Sequence, residues 1–555
     1  MAVLGLRKRD KRRQDQMIEN YETFNDTQKQ ILERFVSSTT SNVFVLRNLP
    51  EVIKGALFSR YSRTTLGLRS LLLKEFINSE DLAFTSIVGE AESNVDQAVA
   101  IQKAQSFYDR ILDGYGDDSI GELGGAHLAV ENVTMLAAKV IEDRRIGGSP
   151  LEKSTRYVYF DQKIDGEYLF YRDPVLMTSA YREDYLGLCN MLFETYSNLI
   201  PPTTELLKER FPQEEGMSSG AYKAALRAKV LDCLRGILPA STLTNMGVFG
   251  NGRFFEGLIQ KLNGQSLSEL QDIGKKAFDE LSKSIPSFVR RTEPTNRHYQ
   301  SFNVFREQMR DAIRLKTREF ASEITGKPQP GVRLIRTDEA AEKKVAAALL
   351  FSDSDKPLGS LDALTQSLSE EDIDQILSSA AMGRTNRRHK GPRALEHATF
   401  TFEIVADFGA YRDLQRHRML TQDRQLLGCE LGYYVPEELI GTKMEKDYRA
   451  AMDKAASVVR KIGSELPEES QYAVPMGYNI HWYFHCNLRA LQWLCELRSA
   501  PAGHVVYRYI AQALADEVSK AHPAFERFFQ FVDYDGYELG RLGQEERIER
   551  KKVEK

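Results

Sequence analysis

The chain is poor in cysteine: five in 555 residues, at Cys189, Cys233, Cys429, Cys486 and Cys495. None forms a C-x-x-C pair. That excludes a disulfide scaffold and leaves a thiolate zinc site or a thioredoxin-type dithiol without residues. An odd number of irregularly spaced thiols suits a reducing compartment, so a cytoplasmic protein is expected. No apolar run reaches the roughly 20 residues of a bilayer span, so no membrane partner is expected. The start, MAVLGLRKRDKRRQD, has charge without a following apolar stretch and does not read as a secretory signal. Net charge is nearly absent, because 75 Lys and Arg face 79 Asp and Glu. This excludes a disordered polyelectrolyte and makes a nucleic-acid partner unexpected. The basic run Arg7 to Arg13 reads as a solvated tail. There is no Walker A sequence. Gly250-Asn251-Gly252 lacks the third glycine and the preceding strand of a dinucleotide fingerprint. His481 and His485 lack the glutamate of H-E-x-x-H, and no residue is read as a metal ligand.

What is present begins with periodicity. The first 300 residues read as mostly helical, including an amphipathic helix from Ala126 to Arg144 and another from Ala221 to Leu238, before Pro239. Arg156 to Phe160, RYVYF, reads as a strand because aromatic and β-branched residues dominate it. Thr325 to Gly331 is a linker-type run. A strand, VRLIRT, and a helix from Glu339 to Leu350 are expected after it. Residues 201–229 and 264–318 read as helical additions, and 541–555 as a charged, frayed helix.

The two halves also share landmarks. Glu122 to Arg144 spans the same interval as Glu396 to Arg418, each ending a stretch of similar pattern. Pro239 precedes Asn251-Gly252-Arg253 at the distance by which Pro475 precedes Asn487-Leu488-Arg489. Landmarks that match in order and interval indicate a duplicated unit. The expectation is two related α+β domains, 1–325 and 326–555, each with helices packed on a mixed or antiparallel sheet.

Three constellations carry chemistry. Arg416-His417-Arg418 puts two permanent cations beside an imidazole, and arginine's planar fork suits phosphate. An exposed basic helix end is the plainer meaning. Alternation places Glu152, Ser154 and Arg156 on one face of an extended segment, as a polar-ligand cradle or an ordinary strand edge. Asn487 and Arg498 lie three helical turns apart. There the amide can read a ring edge, and the guanidinium can stabilise charge on a carbonyl. Trp493 and Tyr507 are expected to pack in a core.

R-H-R, E-x-S-x-R-Y and N-x-R, each present here, together resemble the flavin-dependent thymidylate synthase family. The resemblance covers roughly residues 80–270 and 330–515. It implies reductive methylation of dUMP to dTMP with FAD, NADPH and methylenetetrahydrofolate. In the second half it implies that Arg416, His417 and Arg418 contact flavin and nucleotide. Glu396, Asn487 and Arg489 would lie near flavin, and Arg498 would polarise the pyrimidine. In the first half Ser119, Glu122, Asn251 and Arg253 match cofactor positions. Glu152, Ser154, Arg156, Tyr157 and Arg235 match nucleotide positions, with Ser154 and Arg498 as the catalytic pair. Departures are informative. Glu142-Asp143-Arg144 stands in the first half for R-H-R, and Leu262 for the pyrimidine-contacting arginine. Leu426 and Gly428 replace the serine and arginine in the second half, Asp413 a usual glutamine, and Gln471 the counterpart of Arg235. Neither half holds a full set, while together they hold nearly all of one. The implied protein is a homodimer acting as a pseudo-tetramer, with one composite site type drawn from both halves. A catalytically degenerate nucleotide- or partner-binding homologue, or an enzyme methylating another uracil compound, is the alternative.

Overall fold

A computed structural model describes residues 23–61, 64–74 and 121–553. The basic run Arg7 to Arg13 and Ser119 lie outside the described residues. Strand β1 (Gly125–Thr134) leads into helix α1 (Met135–Glu142), and β2 (Gly148–Glu152) follows. Helices α2 (Arg182–Arg210) and α3 (Ser219–Leu234) precede strand β3 (Leu243–Asn251) and helix α4 (Gly252–Asn263). Two more helices, α5 (Ser268–Ser284) and α6 (Arg297–Ala321), end the first unit. The second unit runs β4 (Gly331–Thr337), β5 (Thr399–Asp407), α7 (Phe408–Leu414), β6 (Thr421–Arg424), α8 (Lys443–Gly463), β7 (Asn479–Asn487), α9 (Leu488–Arg498) and α10 (Val505–Ala521). The two larger sheets are antiparallel, ordered β1-β3-β2 and β4-β5-β7-β6. The architecture is α+β with two related units.

The duplication is visible residue by residue. The central strands bury the same alternate positions: Thr244, Met246, Val248 and Gly250 in β3, and Ile480, Trp482, Phe484 and Cys486 in β7. Each central strand ends in an asparagine that caps the following helix. Asn251 accepts from Phe254 N at 2.8 Å and Asn487 from Ala490 N at 2.9 Å. Tyr185 donates its hydroxyl to the Tyr171 carbonyl, and Tyr448 donates to that of Tyr434, at the same sequence separation. The two units meet on equivalent residues. Pro239 bridges to Pro475. Ala240 N donates to Val474 O at 2.8 Å, and Met476 N to Leu238 O at 2.9 Å. Such a self-complementary contact is what a two-fold axis produces between identical chains. Here it is a pseudo-two-fold inside one chain.

Two sequence expectations change. The stretch from Ala126 is a strand as far as Thr134, and only Met135–Glu142 is helical. A bulge between Val130 and Val133, with Asn132 at φ 55°, inserts a residue into the alternation. Leu128, Val130 and Val133 are then spaced two and three apart, which imitates helical recurrence. The same correction applies to β5 and α7 in the second half. RYVYF is a turn followed by irregular chain, with Tyr157 exposed and Phe160 buried. β-Propensity alone supplies no neighbouring strand to pair with.

The bulge also shifts the comparison of the halves by one residue. Strand pairing aligns Thr134, opposite Leu243, with Asp407, opposite Asn479. Both residues cap their helices. Asp143-Arg144-Arg145 is therefore the counterpart of Arg416-His417-Arg418, so one position of three reverses charge. Among the described residues, no helix is long and apolar enough to cross a membrane.

Candidate active site

A small cavity of about 30 Å³ lies where the units meet. Glu152, at the end of β2, and Lys153 to Arg156, in the turn after it, form one wall. Arg412 and Asp413 of α7, with Arg416 just beyond it, form the opposite wall, and Arg235 enters from the turn after α3. A side chain at Gly409 would come within 3.2 Å of the Arg235 guanidinium, so the bare backbone there leaves Arg235 its place. Ser154 and Arg416 thus line one cavity within a single chain.

The charges are paired within the units and, through Arg412–Glu152 and Arg235–Asp413, across them. Arg412 binds Glu152 at 2.5 Å, and Lys139 of α1 reaches the other Glu152 oxygen at 2.9 Å and also binds Glu142. Asp413 takes Arg416 and, at 3.3 Å, Arg235. Arg156 grips Asp232 with two bonds of 2.6 Å and donates to the Tyr507 hydroxyl at 3.0 Å. Burial opposes ionisation of Asp413, but Arg416, Arg235, Arg498 and Arg156 outweigh it and hold the carboxyl below its ordinary range. Burial likewise opposes Glu152, and Arg412 and Lys139 outweigh it. Asp407, capping α7, is pushed up to about 6 by burial against the pull of Arg235. Arg498 donates through Nε to His417 Nε2 at 2.8 Å. Burial, then Arg498 and Arg416, force the His417 pKa well below the imidazole range. Arg418 crosses to β2, bonding Gly148 O at 2.7 Å and Ser149 Oγ at 3.0 Å.

Among the described residues, several buried polar atoms here have no protein partner: Arg235 Nη2, Arg412 Nε and Arg416 Nε among donors, Glu142 Oε1, Asp407 Oδ2 and Gln415 Oε1 among acceptors. Native interiors leave few such atoms, and their concentration marks a place for a polar ligand.

A second cavity, about 410 Å³, is lined by Glu396, Asn487 and Arg489, with Arg387, Lys390 and Trp493. Arg489 pairs with Glu396 at 2.7 Å. Trp493, expected in a core, is instead 37% exposed on this wall. Cations and an exposed indole on one wall suit an anionic group that bears an aromatic ring. The first-unit counterparts form the same ion pair, Arg253 with Glu122 at 3.1 Å, on the surface.

The other candidates fall elsewhere. Tyr157 is exposed beneath the Arg541 guanidinium, 3.9 Å from its ring centre, and does not line the first cavity. Arg498 lines neither cavity. It contacts His417 and lies 5.6 Å from the Tyr507 ring, with Arg156 at 5.8 Å from that same ring. The Asn487 oxygen is committed to its helix cap. Lys139, Asp232 and Arg412 were missed by the sequence reading. The lysine had a signal, since Lys139 interrupts the apolar run MLAAKVI before Glu142 ends the helix.

The mirror site is not built. Strand pairing places Arg424 opposite Trp482 where Glu152 lies opposite Met246. Arg424 donates to Gln471 at 3.3 Å, Leu426 is exposed, and Asp143 pairs with Lys261.

The family model described as thymidylate synthase complementing protein matches residues 77–287 and 333–524. A UPF0159 protein of Chlamydia muridarum is 53% identical over 94% of this chain and 98% of its own length. A flavin-dependent thymidylate synthase of Sulfurisphaera tokodaii is 28% identical over 36% of this chain and 77% of its own. The structure of the UMP/dUMP methylase PolB from Streptomyces cacaoi, bound with 5-Br dUMP, covers 37% of this chain and 97% of that one, at 20% identity and a TM-score of 0.29.

Proposed function

The chain belongs to the thymidylate synthase complementing protein family, and from that membership we propose that it converts dUMP to dTMP by flavin-dependent reductive methylation at one composite site. Residues 1–325 and 326–555 are taken as the two copies. The observation that carries the reading is the single cavity lined by Glu152, Ser154 and Arg156 from one copy and Asp413 and Arg416 from the other.

Its walls carry five cations, Lys153, Arg156, Arg235, Arg412 and Arg416, against two carboxylates, Glu152 and Asp413. That surplus suits a dianionic nucleotide phosphate, and the unpartnered Arg235 and Arg416 nitrogens supply donors for its oxygens. Asp413, held ionised, only accepts hydrogen bonds, so a ligand group set against it must donate. Ser154 orients the nucleotide. Arg498 offers positive charge to a uracil carbonyl as it becomes anionic. His417 stays neutral and fixes the Arg498 guanidinium.

Flavin is assigned to the cleft of Glu396, Asn487 and Arg489, where Arg387 and Lys390 would hold its phosphates and Trp493 would cover a ring. When bound, reduced FAD would supply hydride, the folate the one-carbon unit, and NADPH the electrons that re-reduce the flavin. The protein's work is orientation and electrostatics.

Purified protein supplied with FAD, NADPH and methylenetetrahydrofolate should form dTMP from dUMP, read by mass spectrometry, and should restore a thymidine-requiring strain. Ser154→Ala and Arg498→Ala should each lower dTMP formation on the order of 100-fold and weaken the rescue. Turnover of UMP but not dUMP would move the assignment to another uracil substrate. Nucleotide binding without turnover would leave a degenerate binder.

A further inference from the structure

Helix α6 has 25 residues and buries only Tyr299. It meets the body through arginines: Arg306 donates to the Gln260 carbonyl at 2.6 Å, Arg310 to that of Gly264 at 3.5 Å, and Arg314 pairs with Glu468 at 3.5 Å. Its apolar stripe points elsewhere. Phe302, Phe305, Met309, Ile313 and Phe320 are all exposed, from 38% at Phe302 to 71% at Phe320, and Ile324 just past the helix continues the stripe. The helix lies between the two segments that the family model matches, so the family's site does not account for this stripe.

Spacing along the stripe identifies an occupant. Phe302, Phe305, Met309 and Ile313 are three, four and four residues apart, and Ile313, Lys316, Phe320 and Ile324 repeat that pattern. An eleven-residue period, about 3.67 residues per turn, keeps a seam on one face of a nearly straight helix. The pattern is also close to symmetric about Ile313. Against an antiparallel copy of itself it sets Phe305 on Phe320, Phe302 on Ile324 and Ile313 on Ile313, with Met309 over the Lys316 stem. The exposed apolar area is on the order of 600 Å² per copy, and with flanking polar side chains this approaches the roughly 800 Å² per partner of a stable interface.

We propose that α6 is a homodimerisation helix, pairing antiparallel with α6 of a second copy about a two-fold axis near Ile313. An isolated exposed helix gains little from its own hydrogen bonds, so the covered stripe also explains why so long an element persists.

All five native cysteines are buried, which permits a clean cross-linking test on the full chain. Ile313→Cys, beside the axis, should form an interchain disulfide under mild oxidation, because facing helices bring axis-proximal Cα atoms within the roughly 7 Å limit. Phe305→Cys alone should not, since its opposite number is Phe320. Phe305→Asp with Phe320→Asp should halve the mass measured by sedimentation equilibrium while circular dichroism stays unchanged. An Ile313→Cys protein that stays uncross-linked, or an assembly whose mass survives the double substitution, overturns the proposal. Flotation of the wild-type chain with anionic lipid vesicles, lost in the double variant while solution mass does not change, would overturn it in favour of a membrane surface.

Discussion

The Arg498 guanidinium donates to Nε2 of His417 at 2.8 Å, tying α9 to the loop after α7. A ring nitrogen that accepts cannot carry the proton, so His417 is neutral with its proton on Nδ1.

This has a pH consequence. The folded pKa of His417 is depressed, so the unfolded chain binds a proton near pH 6.5 that the folded chain refuses. The stability His417 contributes is present above that pH and falls as pH drops below it, at about 1.4 kcal/mol per unit. His504, lowered to about 3 by burial and then Arg235, acts in the same sense. His417→Gln keeps an acceptor for Arg498 and should reduce the slope of unfolding free energy between pH 6.5 and 5 by about one proton, measured by urea titration. An unchanged slope would mean that His417 titrates alike in both states.

Asp413 separates Arg416 from Arg235. Asp413→Asn leaves both guanidinium groups without their counter-ion, and breaking a buried pair costs about 3 kcal/mol or more. Thermal melts should show the loss, and added dUMP should restore more stability in the variant than it adds to wild type. Equal shifts in both would show that Asp413 does not face the nucleotide.

Arg156 spends its planar fork on Asp232, and its remaining nitrogen on the Tyr507 hydroxyl and the Ala502 carbonyl. Lysine cannot make the paired bonds. Arg156→Lys should raise the dUMP KM by about tenfold, equivalent to about 1.4 kcal/mol, in steady-state assays.

The mirror position should be silent. Leu426→Ala, at the counterpart of Ser154, should leave kcat/KM within about twofold, since surface changes rarely matter. Ser154→Ala should lower it on the order of 100-fold, as removal of a site donor does. Similar losses from both would indicate two working sites.

The repeat was legible because Asn251 and Asn487 cap helices and Pro239 and Pro475 pair, so both landmarks perform structural jobs in each copy. The β1 strand was not, because its bulge at Asn132 broke the period-two signal. The pairings of Asp232 and Lys139 were hidden for another reason. Their partners, Arg156 and Glu152, lie far off in sequence or behind a turn, and pairing of that kind exists only after the chain folds. Tyr157 stood within a recognisable motif, yet its ring packs under Arg541 from the C-terminal segment, which no local pattern announces.

The central claim is that two diverged copies build one nucleotide site. Calorimetric titration with dUMP measures it most directly. One nucleotide should bind per chain, with binding lost on Arg156→Ala in the first copy and equally on Arg416→Ala in the second. Two nucleotides per chain, or binding that survives either substitution intact, would contradict it.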